Sequence, residues 1–126
     1  LVSLSAAYDI GLALEPPVSV NNDILLSNKL FTYLLAGNAV LMTRTRGQGG
    51  LARELGSAAA LCEPGQPETL AAALMPWIEH RERLERARAE AWQLGETRFN
   101  WDVEQRKFLG VVSRTLSATA PVQLAS

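Results

Sequence analysis

The chain has 126 residues, 48% of them hydrophobic and 20% charged, and a net charge of −1 from 12 basic and 13 acidic side chains. That size and balance suit one globular domain or part of one, and give no basis for a broad electrostatic attraction to nucleic acid or to an anionic membrane. The single cysteine, Cys62, excludes an internal disulfide and fits a reducing compartment, and with only His80 beside it there is no ligand set for a structural zinc.

Leu1–Ala7 reads as the end of a helix, and the chain opens on Leu1 rather than Met. A C-terminal piece of a longer chain is therefore expected. No charged-then-apolar leader opens it, and no apolar run reaches the ~18 residues of a membrane span. Ile10–Leu14 (I-G-L-A-L) is a short apolar run between Asp9 and the Glu15-Pro16-Pro17 breaker, and reads as a buried strand. Pro16–Leu26 is expected to be a loop, polar at Ser19, Asn21, Asn22 and Asp23. Asn28–Ala36 reads as a helix whose Leu30, Phe31, Leu34 and Leu35 share one face, with Gly37 as its left-handed stop. Ala39–Thr43 is a second buried strand.

Arg44–Gly50 (R-T-R-G-Q-G-G) reads as a glycine-rich loop and Leu51–Leu55 as one to two helical turns ended by Gly56. Ala58–Leu61 is a third short apolar strand, and Glu63–Gln66 a turn. Pro67 suits the first position of a helix running to about Glu79 or bending at Pro76. Arg81–Leu94 alternates charge along a solvated helix face, with Leu84, Ala87, Ala91 and Trp92 turned inward. Trp101–Leu116 is a last helix capped by Asn100, and Ser117–Ser126 a disordered tail. Trp77, Trp92 and Trp101 read as packing residues.

Strand and helix alternate with short joints, which calls for a parallel sheet with helices on its faces. All three strands are apolar without alternation, as strands covered on both sides are. Ligands of such sheets lie beyond the carboxyl ends of the strands, where Glu15–Ser27, Arg44–Gly50 and Cys62–Gln66 emerge.

Among these, Ser27-Asn28-Lys29 carries the clearest chemistry. Ser27 is a good N-cap, but the residue three places on is Leu30, so no reciprocal capping box forms. The early N–H groups stay available to an anion, and a bound phosphate offsets the conflict between Lys29 and the helix dipole. An ordinary capped helix with Lys29 in water fits the same residues. The G-Q-G-G loop with Arg44 and Arg46 is a phosphate cradle or a mobile surface loop, and matches neither the Walker pattern nor the dinucleotide fingerprint. Asn21, Asn22 and Asp23 offer hydrogen bonds to sugar hydroxyls or to their own turn. The Thr32 hydroxyl serves a ligand or folds back on a carbonyl. His80 is expected in solvent and Cys62 in the core. No nucleophile–base pair stands out.

Tyr8–Leu14 (Y-D-I-G-L-A-L) followed by Ser27–Leu41 (S-N-K-L-F-T-Y-L-L-A-G-N-A-V-L) resembles the C-terminal half of GT-B glycosyltransferases of the large retaining group that use nucleotide-sugar donors. Their segments read a-D-(I/V)-G-L, then P-N-K-(L/I)-F-E-Y-(L/M)-A-x-G-x-P-V. Glu54–Gly65, Pro67–Leu74 and the R-F-N-W-D-V-E-Q stretch are similar to later segments in the same order, so the resemblance runs from about Leu1 to Leu116. It implies a Rossmann-like parallel sheet with helices on both faces, residues 1–116 forming a donor-binding domain and 117–126 a tail. It further implies that a nucleoside-diphosphate sugar is the substrate, held near Asn22, Ser27, Asn28, Lys29, Leu30 and Thr32, with no metal and no other cofactor. Catalytic residues and the acceptor are not identified by it. The partner it implies is an N-terminal acceptor-binding domain of the same chain, without which this piece is inactive. Neither nucleic acid nor a transmembrane segment is expected, and the location is cytoplasmic, with peripheral attachment to the inner membrane face as a variant. Thr32 stands where the family has its ribose-binding Glu, Ile24 where relatives place a second Glu, and Ala39 where Pro is usual. A hydroxyl cannot accept two ribose hydroxyls as a carboxylate does, so altered donor binding, a degenerate enzyme, or a non-catalytic α/β interaction module is the alternative.

Overall fold

A computed structural model describes residues 1–118. They form an α/β structure in the order α1 (Val2–Ser5), β1 (Ile10–Ala13), α2 (Val20–Ile24), α3 (Asn28–Ala36), β2 (Ala39–Thr43), α4 (Arg46–Leu55), β3 (Ala59–Cys62), α5 (Pro67–Glu79), α6 (Arg81–Thr97) and α7 (Trp101–Ala118), with a 3-10 turn at Gly56–Ala58. The three strands make one parallel sheet in the order β1-β2-β3, with Ile10 opposite Ala39 and Val40 opposite Ala59. Helices cover both of its faces, as in a Rossmann-like arrangement.

Every residue of β2 is buried, and its alternate side chains enter two separate apolar layers. Val40 and Met42 pack with Leu30 and Leu34 of α3 and Leu51 and Leu55 of α4. Ala39 and Leu41 pack with Trp77 of α5 and Leu84 and Ala87 of α6. Each fully buried leucine contributes ~1.5–3 kcal/mol through the area it removes from water. The expectation that all three strands are covered on both sides holds only for β2. β1 and β3 are the sheet's edges, and Leu12 remains 46% exposed.

α3 ends as its sequence dictates. Gly37 sits at φ 70°, a left-handed conformation that glycine adopts cheaply, and returns its N–H to the Leu34 carbonyl at 3.0 Å. α6 then crosses beneath the amino ends of the strands. Arg88 donates to the Gly37 carbonyl at 3.1 Å and to Asp9 Oδ1 at 2.6 Å, just ahead of β2 and β1. About two turns further, Gly95 lets α6 press on α3: a Cβ there would lie 2.9 Å from the Leu34 carbonyl. Because α6 places Ala87 in one layer and Ala91 in the other, it joins the two layers.

Several boundaries differ from the expectations. The Pro16–Leu26 loop contains α2, whose N-cap Ser19 accepts the Asn22 N–H at 3.1 Å. The glycine-rich segment is helical, since α4 begins at Arg46 with the Thr45 hydroxyl accepting the Gln48 N–H at 3.2 Å. Burial of Gln48, Leu51 and Leu55 on the inner face of α4 outweighs the low helix propensity of its three glycines. β1 stops at Ala13, and β3 runs one residue later than expected because the 3-10 turn takes up Ala58. Trp77 is buried as expected, but Trp92 and Trp101 are exposed. Trp92 lies over Gly37, where a Cβ on the glycine would come 3.3 Å from the Trp92 Cβ and 3.7 Å from its ring Cδ1, and the rest of the side chain faces solvent. α7 continues through Ser117 and Ala118, where a tail was expected, and the remainder of that tail lies outside the described residues. α7 buries none of its residues, and Trp101, Phe108, Leu109 and Leu116 stand exposed along it. Among the described residues, no helix is long and apolar enough to cross a membrane.

Candidate functional site

Beyond the carboxyl ends of all three strands lies a crevice of about 300 Å³. Leu14 after β1, Thr43 at the end of β2, Cys62 at the end of β3, and Pro16, Pro64 and Leu70 line it. Its volume sits at the lower end of the range for small-molecule sites, and its walls are mostly apolar with a few polar groups at the rim. Where parallel strands end, the backbone stops pairing and the connecting loops diverge, so a cleft forms there by topology.

The start of α3 is tied to this crevice by Glu15. The Ser27 hydroxyl donates to Glu15 Oε1 at 2.8 Å, and Lys29 Nζ donates to the same oxygen at 2.9 Å. The Glu15 backbone carbonyl in turn accepts the Thr43 hydroxyl at 2.7 Å. Thr43 Oγ1 also accepts from Gln48 Nε2 at 3.1 Å, so one polar chain runs from α3 through Glu15 and Thr43 to α4. Gln48 Oε1 is buried at the end of that chain with no hydrogen-bond partner among the described residues. The hydrogen bond from Lys29, followed by that from Ser27, holds the Glu15 carboxyl below its ordinary pKa, and Glu15 holds the Lys29 ammonium above its own.

The residues expected to form the site are placed as follows. Ser27 occupies the N-cap position but does not cap with its side chain, because Glu15 takes its hydroxyl. Asn28 and Lys29 are exposed, and their backbone N–H groups have no partner among the described residues. Leu30 is wholly buried and its N–H already reaches the Ser27 carbonyl at 3.1 Å, so it is a core residue without a free donor. The Thr32 hydroxyl folds back on the Asn28 carbonyl at 3.5 Å. Asn22 is drawn into the start of α2, where its side chain accepts from Ser19. α2 itself packs on α4 rather than α3: Asp23 accepts the Arg46 N–H at 3.0 Å and pairs with its guanidinium. Those two contacts, the backbone one foremost, hold the Asp23 carboxyl below its ordinary value. The structure therefore brings Ser27, Asn28 and Lys29 together and assigns Asn22 elsewhere.

Glu15, Thr43 and Gln48 are the residues that reading the sequence missed. Their signal was positional: Glu15 and Thr43 stand where β1 and β2 run out. Cys62 borders the crevice but is buried, and its Sγ donates to the Met42 carbonyl at 3.5 Å. Burial, with the neighbouring Glu63, pushes its thiol up, which keeps it protonated and unreactive at neutral pH. His80 is exposed, 3.8 Å from Glu82. Among the described residues, no three His, Cys, Asp or Glu side chains cluster as metal ligands do. This arrangement leaves two amides at the start of α3 unpartnered among the described residues and a Lys29 that is already paired with Glu15, the residue between the crevice-lining Leu14 and Pro16. Comparison with known protein families, curated proteins and solved structures found no match to this chain.

Proposed function

We propose that this chain holds the nucleoside-diphosphate sugar of a GT-B glycosyltransferase. In this reading the diphosphate lies at the start of α3 and the ring system enters the crevice at the strand ends. The observation that carries it is the pair of N–H groups at Asn28 and Lys29 that have no partner among the described residues, on a helix start joined through Glu15 to a crevice at the strand ends. The ordered sequence resemblance supports the donor class. The uncovered outer side of β1 and the unburied α7 support a second unit of the same protein as the acceptor-binding partner. The leaving diphosphate would be stabilised by amides and Lys29 rather than by a general acid.

Isothermal titration of the protein against UDP, GDP and their sugars tests this. Saturable binding that weakens on Lys29→Ala is the expected result. Absence of binding to all of them at about 1 mM, where the free energy is only some 4 kcal/mol, rejects it.

A second reading, an α/β interaction module without catalysis, draws on Glu15. Its carboxylate already engages Lys29 in the place an anionic ligand would take, and Thr32 is turned onto its own helix. If neither the native protein nor Glu15→Gln binds a diphosphate, this reading replaces the first.

A further inference from the structure

We propose that the outer edge of β3 is a docking groove for an extended, carboxylate-bearing peptide segment of a partner protein, which joins the sheet as a fourth strand. The proposal is independent of the nucleotide-sugar reading. Among the described residues, β3 pairs with β2 on one side only. The Cys62 carbonyl accepts the Arg44 N–H at 2.8 Å, so Cys62, and Ala60 two residues before it, direct their backbone groups toward β2. The intervening Ala59 and Leu61 direct theirs outward, where another strand would pair with them.

A cleft of about 720 Å³ runs along this edge, with Ala59 and Leu61 on one wall. The opposite wall is the outer stripe of α4: Arg46, Gly49, Gly50 and Arg53, spaced i, i+3, i+4, i+7. Arg44 stands at its head. The two glycines are the telling feature. Glycine weakens a helix interior relative to alanine, so its presence there needs a reason. Nothing among the described residues supplies one. Neither has a positive φ, a Cβ at Gly50 would meet nothing within 4 Å, and one at Gly49 would touch only Arg44 Cγ at 3.8 Å. Gly47 differs, since a Cβ there would lie 2.4 Å from the Ile24 carbonyl. Gly49 and Gly50 thus place no side chain on the cleft wall between Arg46 and Arg53.

Charge selects the occupant. The cleft carries three arginines and one acid, Asp23. Arg53 has no ion-pair or hydrogen-bond partner among the described residues. Arg44 pairs with Glu63 at 2.6 Å and Arg46 with Asp23, but both pairs are solvent-exposed on the arginine side and exchange cheaply for incoming carboxylates. The outward carbonyls of Ala59 and Leu61 repel a phosphate chain and accept from a strand's N–H groups, which favours a peptide over a nucleic acid.

The test is fluorescence anisotropy at low salt, with a labelled heptapeptide of alternating Glu and Val titrated by the native protein. Saturable binding is expected, weakened at least tenfold by Arg53→Glu and by Gly50→Leu. Both substitutions sit on the open side of α4, and a circular dichroism melt confirms that each variant is folded. A peptide N-methylated at alternate residues loses the ladder and is expected not to bind. The proposal is overturned by any of four results: no binding at about 1 mM, equal binding of the N-methylated peptide, equal binding of a Lys-Val peptide, or tighter binding of an oligothymidylate.

Discussion

Replacing Glu15 by Gln separates the two jobs this side chain does. The carboxylate accepts from the half-exposed Lys29 and from the buried Ser27. Gln keeps an acceptor for the Ser27 hydroxyl and loses the charge that holds Lys29. An ion pair with one partner 61% exposed contributes at most ~1 kcal/mol, so the variant's melting temperature is expected to fall by no more than about 4 °C at pH 7. The loss depends on pH in a defined direction. Glu15 has a lowered pKa in the folded state, so its contribution is complete above the unfolded-state value of about 4.3 and disappears as pH falls through the folded value. Lys29 is raised, so its side of the pair is complete below the unfolded-state value of about 10.4 and disappears as pH rises through the folded value. Native and variant melting curves are therefore expected to differ across the neutral range and to converge in acid. At the same time Lys29 is released toward the α3 amides, and the proposed diphosphate site gains a free cation. A gain of ~1 kcal/mol, roughly fivefold in Kd for UDP, follows by titration calorimetry. A gap between the two proteins that persists unchanged to pH 3 would refute the ion-pair account. Weaker UDP binding by the variant would refute the idea that Glu15 competes with the ligand.

Three further outcomes follow from the packing. Gly95→Ala forces a Cβ against the Leu34 carbonyl, which is backbone and cannot rotate away, and is expected to cost ~1–3 kcal/mol in urea denaturation. Gly110→Ala, whose Cβ would meet only the Arg114 side chain at 3.6 Å, is expected to be neutral or up to ~1 kcal/mol stabilising in the same assay. Leu34→Ala, at a wholly buried position between α3 and the sheet, is expected to cost ~2–5 kcal/mol, with a matching drop in the urea midpoint.

Where one local force dominated, the sequence was enough to read the fold. β2 was legible to the residue because its apolar run is too short for a helix and is bounded by Gly37-Asn38 and Arg44. α3 was legible because its apolar spacing and Gly37 agree on where it lies and where it stops. α4 was misread in its first half because glycines weigh toward loop locally, while the burial of Gln48 and Leu51 that overrides them is a tertiary effect. α2 was missed because its only local signal, Ser19 before Val20-Asn21-Asn22, looks like turn chemistry. At the site, Asn28 and Lys29 followed from capping rules. Glu15 did not, because it lies 12 residues from Ser27 and 14 from Lys29 and meets them only once the strand and helix are assembled. Trp92 was placed inward by helical period, which says nothing of how closely two helix backbones approach.

The path of α6 has a consequence for how the chain matures as it leaves the ribosome. Each apolar layer is finished by the same late segment, Ala87 for one and Ala91 for the other. A nascent chain released only as far as α5 presents the strands and α3 with their floor still missing. Emergence of the stretch from Leu84 to Gly95 supplies the missing residues of both layers together, so the two are expected to close at the same stage rather than one after the other.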